Sequence, residues 1–187
     1  ETFISTFLKS KAAPIGIITD FIIRVEFQAR GSPHVHTIFW IKDAPKLGVN
    51  LDQEVMAFVD KYISVTLPDD DNELYKLASE LQRHVCNPKC SAKGSCRYHF
   101  PRPPSKVTVI TDTPQDKIEH HVKSSKHILL KVRQTMDDMN ITDQVTLDDV
   151  LNRAGISEDS YVEALATSRA GRSIILARRP HEAFINN

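Results

Sequence analysis

The stretch from His84 to Cys96 constrains this chain most. It places one imidazole and all three cysteines of the protein within thirteen residues, as His84-x-Cys86-x3-Cys90-x5-Cys96. A disulfide framework spreads an even number of cysteines along a chain. Three clustered beside a histidine predict a reducing compartment and a metal. Thiolate and imidazole suit tetrahedral zinc, and a closed set of four ligands makes a structural site. Prolines at 88, 101, 103 and 104 and a shortage of apolar residues leave this segment little to fold around except a crosslink. His99 is an alternative fourth ligand, and three buried free thiols are the competing reading.

The chain around this knob has 187 residues, enough for a sizeable core, with 24 Lys+Arg against 24 Asp+Glu. Zero net charge excludes a uniformly basic nucleic-acid coat, but the charge is segregated. Residues 83–106 carry six basic residues and no acid; 123–133 and 169–179 carry four each, also without acids. Acids gather at 69–73 and 137–149. For any single run the plain alternative is a solvated face. No apolar run approaches the roughly 20 residues that span a bilayer, so no membrane association is expected. The chain opens at Glu1 without a methionine or a secretory leader and reads as an excised piece of a longer polypeptide.

The pattern along the chain predicts an α+β fold: one antiparallel sheet with flanking helices, plus the Cys/His zinc knob. Residues 3–11 read as a short helix. Residues 22–27 and 35–41 are rich in β-branched and aromatic residues, and Arg30-Gly31-Ser32-Pro33 between them is turn chemistry, so a hairpin is expected. Apolar residues recur at three and four over 51–65 and 73–84, predicting two helices. A short strand is expected at 107–111 and another at 174–177. Helices are expected at 115–121, 126–139, 146–153 (stopped by Gly155) and 157–168, with Ser157 as N-cap. Three stretches follow: a core over 1–82, the knob over 83–106 and a C-terminal α+β extension over 107–187.

His34-Val35-His36 opens the second strand. Residues two apart on a strand share a face, so the two imidazoles project side by side, a geometry suited to one metal ion. Glu26 and Gln28 share one face of the first strand. An even pairing register aims them at the histidines, whereas a slip of one residue aims Phe27 there. The bland alternative is two strand histidines on a solvated face.

The run Val25-Glu26-Phe27-Gln28-Ala29-Arg30-Gly31-Ser32-Pro33-His34-Val35-His36 resembles the E-F-Q-x-R-G-x-P-H-x-H signature of Helitron-type rolling-circle transposases, members of the HUH endonucleases. Val59-Asp60 through Pro68-Asp69, then Asn72-Glu73-Leu74-Tyr75, then Cys96-Arg97-Tyr98-His99-Phe100-Pro101 resemble further family segments in the right order, with Asn72 where the family has proline. The resemblance spans about 21–104. It implies a replication-initiator (Rep) fold, with the two histidines central in an antiparallel sheet. It implies a magnesium or manganese ion on His34 and His36, with Gln28 as third ligand and Glu26 as the alternative. It also implies nicking and joining of single-stranded DNA through a tyrosine-linked phosphate, a helicase domain later in the same polypeptide, and a nuclear location. The knob spacing resembles the family's His/Cys cluster, with Cys86 where a histidine often stands. Arg30, Arg97, Arg102 and Lys106 are then candidate phosphate contacts, and Tyr98 and Phe100 either stack bases or form the knob's own core.

The sequence departs from the family in its tyrosines. No Y-x-x-K-Y pair is present; Tyr62, Tyr75, Tyr98 and Tyr161 are the four available. Tyr62 and Tyr75 sit in apolar helix stripes, which predicts packing. The expectation is that the nucleophile lies beyond this chain and that the chain alone binds metal and DNA without cleaving. The alternative function is a non-catalytic zinc- and DNA-binding module derived from such a transposase. His120, His121, His127 and His181 are assigned no role and are expected to be exposed or in the tail.

Overall fold

Alternating β-branched and aromatic residues on either side of Arg30–Pro33 make one antiparallel ribbon in the computed structural model, which describes residues 2–27, 33–68, 72–90, 96–111, 119–167 and 172–185. Strands β1 (Ile18–Phe27) and β2 (Pro33–Ile41) pair with Glu26 opposite His34 and Arg24 opposite His36, with one irregularity between Ile18 and Asp20. Phe21, Ile23, Thr37 and Phe39 share one face and are half-buried. The opposite face carries Ile22, Arg24, Glu26, His34, His36 and Ile38 and is largely exposed.

The chain divides into two compact units, Glu1–Tyr62 and Ile63–Asn187. The first holds a short π-helical turn at Ile4–Leu8, the ribbon, and helix α1 (Asp52–Tyr62). Glu54 starts α1 by accepting the Leu51 backbone N–H at 3.2 Å, and Asp52 and Glu54 complement its dipole. Gly16, at φ +89°, lies under the end of α1. A Cβ there would meet Ile41 Cγ2 at 2.8 Å and the Tyr62 hydroxyl at 3.2 Å, so both backbone angle and space demand glycine.

The second unit holds α2 (Asn72–Leu81), β3 (Val109–Ile110), α3 (Glu119–Asp138), α4 (Leu147–Ala154), α5 (Glu158–Thr167), β4 (Ile174–Ile175) and a 3-10 turn at Pro180–Phe184. Its core gathers Val132 and Met136 of α3, four residues of α4, Tyr161 and Leu165 of α5, Ile175 and Ala183. Helix α4 begins on a reciprocal capping box between Thr146 and Asp149 and stops at Gly155, which is left-handed.

The single expected sheet is instead two separate two-stranded ribbons, β1–β2 and β3–β4. The second is short because hydroxyls take over its ladder. Thr111 Oγ1 accepts the Ser173 N–H at 2.8 Å and Thr108 Oγ1 accepts the Ala177 N–H at 3.1 Å, leaving only two residues per strand in regular pairing. The helix expected at 126–139 begins earlier, as α3 from Glu119, and the expected break at 122–125 is absent. No Gly or Pro interrupts that stretch, and the buried Ser125 hydroxyl is satisfied by Thr167 Oγ1 at 2.7 Å. Most of the helix expected at 115–121 lies outside the described residues. The knob folds together with the C-terminal turn, since the N–H groups of His84 and Arg102 donate to the carbonyls of Phe184 and Ala183, both at 2.8 Å. His181, expected in the tail and given no role, is buried in that turn beside Glu182. Glu182 binds the Arg179 guanidinium at 2.7 Å and the Leu67 N–H at 3.0 Å, and this buried carboxylate pins the turn down.

Candidate functional site

The four knob residues converge. His84 Nε2 lies 3.3 Å from Cys86 Sγ, 3.6 Å from Cys90 Sγ and 3.2 Å from Cys96 Sγ, and the Cys90 and Cys96 sulfurs are 3.5 Å apart. All four ligand atoms lie within 4.8 Å of one another. Ligands about 2.0–2.3 Å from one ion at tetrahedral angles sit roughly 3.5 Å from each other, so the donor set and its spacing fit zinc. The cluster could hold such a metal. His99 lies outside it, leaving His84 as the nitrogen ligand.

Local turns place these ligands. The Cys90 N–H donates to the Asn87 side chain at 2.8 Å, Arg97 N–H to the Cys90 carbonyl at 3.1 Å and His99 N–H to the Cys96 carbonyl at 2.9 Å. The Phe100 ring stacks on the His84 imidazole at 4.3 Å and is buried with Cys90 and Cys96, so Phe100 is core rather than a base platform. Burial pushes the Cys96 thiol up, but backbone N–H groups of Phe100 and Tyr98 outweigh it and hold the thiol below its ordinary value. The Cys86 thiol goes the other way, to about 12, through desolvation first and then hydrogen bonds with Cys96 and Cys90. The Cys96 thiol thus gives up its proton more readily than Cys86, and a bound cation would favour the thiolate form of its ligands.

The basic residues around the knob divide in two. Lys106 is engaged by Glu158 at 2.7 Å and Asp148 at 3.0 Å, at the starts of α5 and α4, and these bonds raise its affinity for its proton. Arg97 lies over the exposed Tyr98 ring at 4.5 Å and donates to its hydroxyl. Arg102 lies over Phe100 at 4.8 Å. Arg133 was not singled out from sequence. It reaches from α3 to the carbonyls of Pro101 (3.3 Å) and His99 (3.2 Å). Its signal was the helical spacing of Lys126, Leu129, Leu130 and Arg133, which puts all four on one stripe.

In the first unit, the even register puts Glu26 with His34 and His36 on one face, where Glu26 and His36 line an open recess of about 400 Å³ with Ile22, Arg24 and Ile38. The two imidazoles stack at 5.6 Å, and His36 Nε2 is 3.5 Å from Glu26 Oε2. Arg24 Nε holds the other Glu26 oxygen at 3.2 Å. Gln28 and Arg30 lie outside the described residues. Among the described residues, only the knob gathers three or more His, Cys, Asp or Glu ligand atoms closely enough for one ion.

Tyr161, the late-helix tyrosine, is fully buried and donates to the Pro104 carbonyl at 2.7 Å; burial raises its pKa far above the ordinary phenol range. Tyr62 packs edge-on against Phe58 at 5.0 Å. Both are structural. No protein-family model, curated protein or solved structure matches the chain. No described helix is long and apolar enough to cross a membrane.

Proposed function

We propose that this chain is part of a Helitron-type rolling-circle transposase of the HUH class, acting on single-stranded DNA in the nucleus. The observation that carries the reading is the hairpin register, which sets Glu26 opposite His34 with its carboxylate 3.5 Å from His36 Nε2. His34 and His36 would hold a magnesium or manganese ion, with Glu26 or Gln28 as the oxygen ligand. Such an ion supplies charge stabilisation at a scissile phosphate. A tyrosine oxygen supplied elsewhere in the longer polypeptide forms the new P–O bond, and the 3′-oxygen leaves as a hydroxyl. A helicase domain in that polypeptide would act on the displaced strand. The knob would carry structural zinc through His84, Cys86, Cys90 and Cys96.

A second reading, a non-catalytic zinc- and nucleic-acid-binding module, is favoured by one observation: among the described residues, three or more His, Cys, Asp or Glu ligand atoms gather at the knob and not at the hairpin. Manganese titration of the zinc-loaded protein, followed by electron paramagnetic resonance, separates the two. The nuclease reading expects weak manganese binding that is lost in His34→Ala/His36→Ala with zinc content unchanged. Absent binding, or binding retained in the double variant, overturns it and leaves the module.

A further inference from the structure

The second unit contains a groove that neither the metal knob nor the hairpin accounts for. It encloses about 610 Å³ between the knob's end and α3. Four of its lining residues are basic in type: His99 and Arg102 from the knob side, Lys126 and Arg133 from α3. Among the described residues no carboxylate lines it. Leu129 and Leu130 form an aliphatic floor between the two α3 cations.

The walls are fixed before any ligand arrives. Arg133 donates to the carbonyls of His99 and Pro101, tying α3 to the knob. The Arg102 backbone N–H is bonded to Ala183 and its guanidinium rests on the Phe100 ring. Arg133 is half-buried, with neutral carbonyls as its hydrogen-bond acceptors. Asp137, one turn along α3, is the carboxylate that acts on it through space. A cation held this way gains from an anion brought into the groove.

The cations are strung out rather than convergent. Lys126 and Arg133 are two helical turns apart, about 10 Å along the axis, too far for one phosphate group to reach both. That arrangement suits a linear polyanion better than a single phosphate ion. At the knob edge next to His99, the exposed Tyr98 ring with Arg97 laid over it is a stacking surface of the kind single-strand binders use, which a carboxylate-rich peptide would not exploit. We infer that this groove binds the phosphodiester backbone of a single nucleic-acid strand, with Arg102, Lys126 and Arg133 as its phosphate contacts. Lys106 takes no part, because Asp148 and Glu158 already hold it. The inference stands whether or not the hairpin holds a metal.

Fluorescence anisotropy of a labelled 20-mer of thymidylate, titrated onto the zinc-loaded protein between 50 and 200 mM KCl, tests it. Three phosphate contacts predict a slope of log K against log salt of about −2, at roughly 0.7 per contact. Arg102→Gln/Lys126→Gln should lower the slope's magnitude by about 1.4 and weaken low-salt binding at least tenfold. Lys106→Gln and His34→Ala/His36→Ala should keep the wild-type slope, so failure of the nuclease reading does not register here. Zinc content and circular dichroism check folding. The exposed single change Lys126→Glu must weaken binding too if the double variant does not fold. Wild-type affinity and slope in a folded groove variant would overturn the inference. So would polyglutamate displacing the probe as well as unlabelled oligonucleotide at equal charge, which would assign the groove to an acidic polypeptide.

Discussion

Removing the metal should melt the knob and spare the helices beside it. The knob's own buried apolar set is Cys90, Cys96 and Phe100. Burying the Phe100 ring contributes only about 2–3 kcal/mol, far less than the roughly 10–16 kcal/mol that structural zinc supplies in small domains. The helical core, by contrast, is a separate cluster built on Val132, Met136, Val150, Tyr161 and Leu165. Hydrogen exchange read by mass spectrometry, with and without a strong chelator, resolves the two. Amides of Cys90, Arg97 and His99, all bonded within the knob, should lose at least about 10³-fold protection, the factor expected when a ligand present at a thousand times its Kd is withdrawn. Peptides from α4 and α5 should keep theirs. Cys96→Ser should reproduce the chelated pattern without chelator. Unchanged exchange over 84–100, or helices that open together with the knob, would refute the separation of metal and core.

Two further outcomes follow from single side chains. Tyr161→Phe leaves the Pro104 carbonyl without its buried donor and should cost about 1–3 kcal/mol, read as a lowered urea midpoint at unchanged slope; a neutral result would mean that this hydroxyl anchors nothing. Asp149 is held below its free value of 3.8 by hydrogen bonds from the Thr146 hydroxyl and N–H. Its contribution is therefore present above about pH 4 and lost as pH falls through the lower folded value, so Asp149→Asn should flatten the acid limb of a thermal-melt series and leave it unflattened only if the cap is not formed.

What could be seen in the sequence was what is local. The knob's ligands lie within thirteen residues, so spacing and residue type name all four, and the structure gathers those four while leaving His99 aside. The α4 boundaries were readable for the same reason: Thr146, Asp149 and Gly155 act on backbone groups within one turn of themselves. The C-terminal turn was not readable. Its order depends on Glu182 accepting from Leu67, 115 residues away, and on carbonyls that pair with His84 and Arg102. A polar Arg-Arg-Pro-His-Glu run shows none of that until the partners are in place. The unbroken start of α3 is likewise non-local, because the buried Ser125 hydroxyl is met by Thr167, 42 residues away.

The hairpin lies between these cases. Side-chain alternation guarantees that His34 and His36 share a face, but which first-strand residues join them depends on whether the register is even or odd, and that is a property of the pair of strands rather than of either one. The observed pairing is even, which brings Glu26 across from His34 and turns Phe27, 86% exposed, to the opposite face. An odd register would have set Val25 and Phe27 beside the imidazoles and removed every oxygen ligand from the site. The same parity places Arg24 against Glu26 at 3.2 Å. A divalent ion entering the hairpin must therefore compete with a guanidinium for the carboxylate, whereas at the knob backbone N–H groups ease deprotonation of the Cys96 thiol. The two sites should differ accordingly, with tight, slow-exchanging metal at the knob and weak, exchangeable metal at the hairpin.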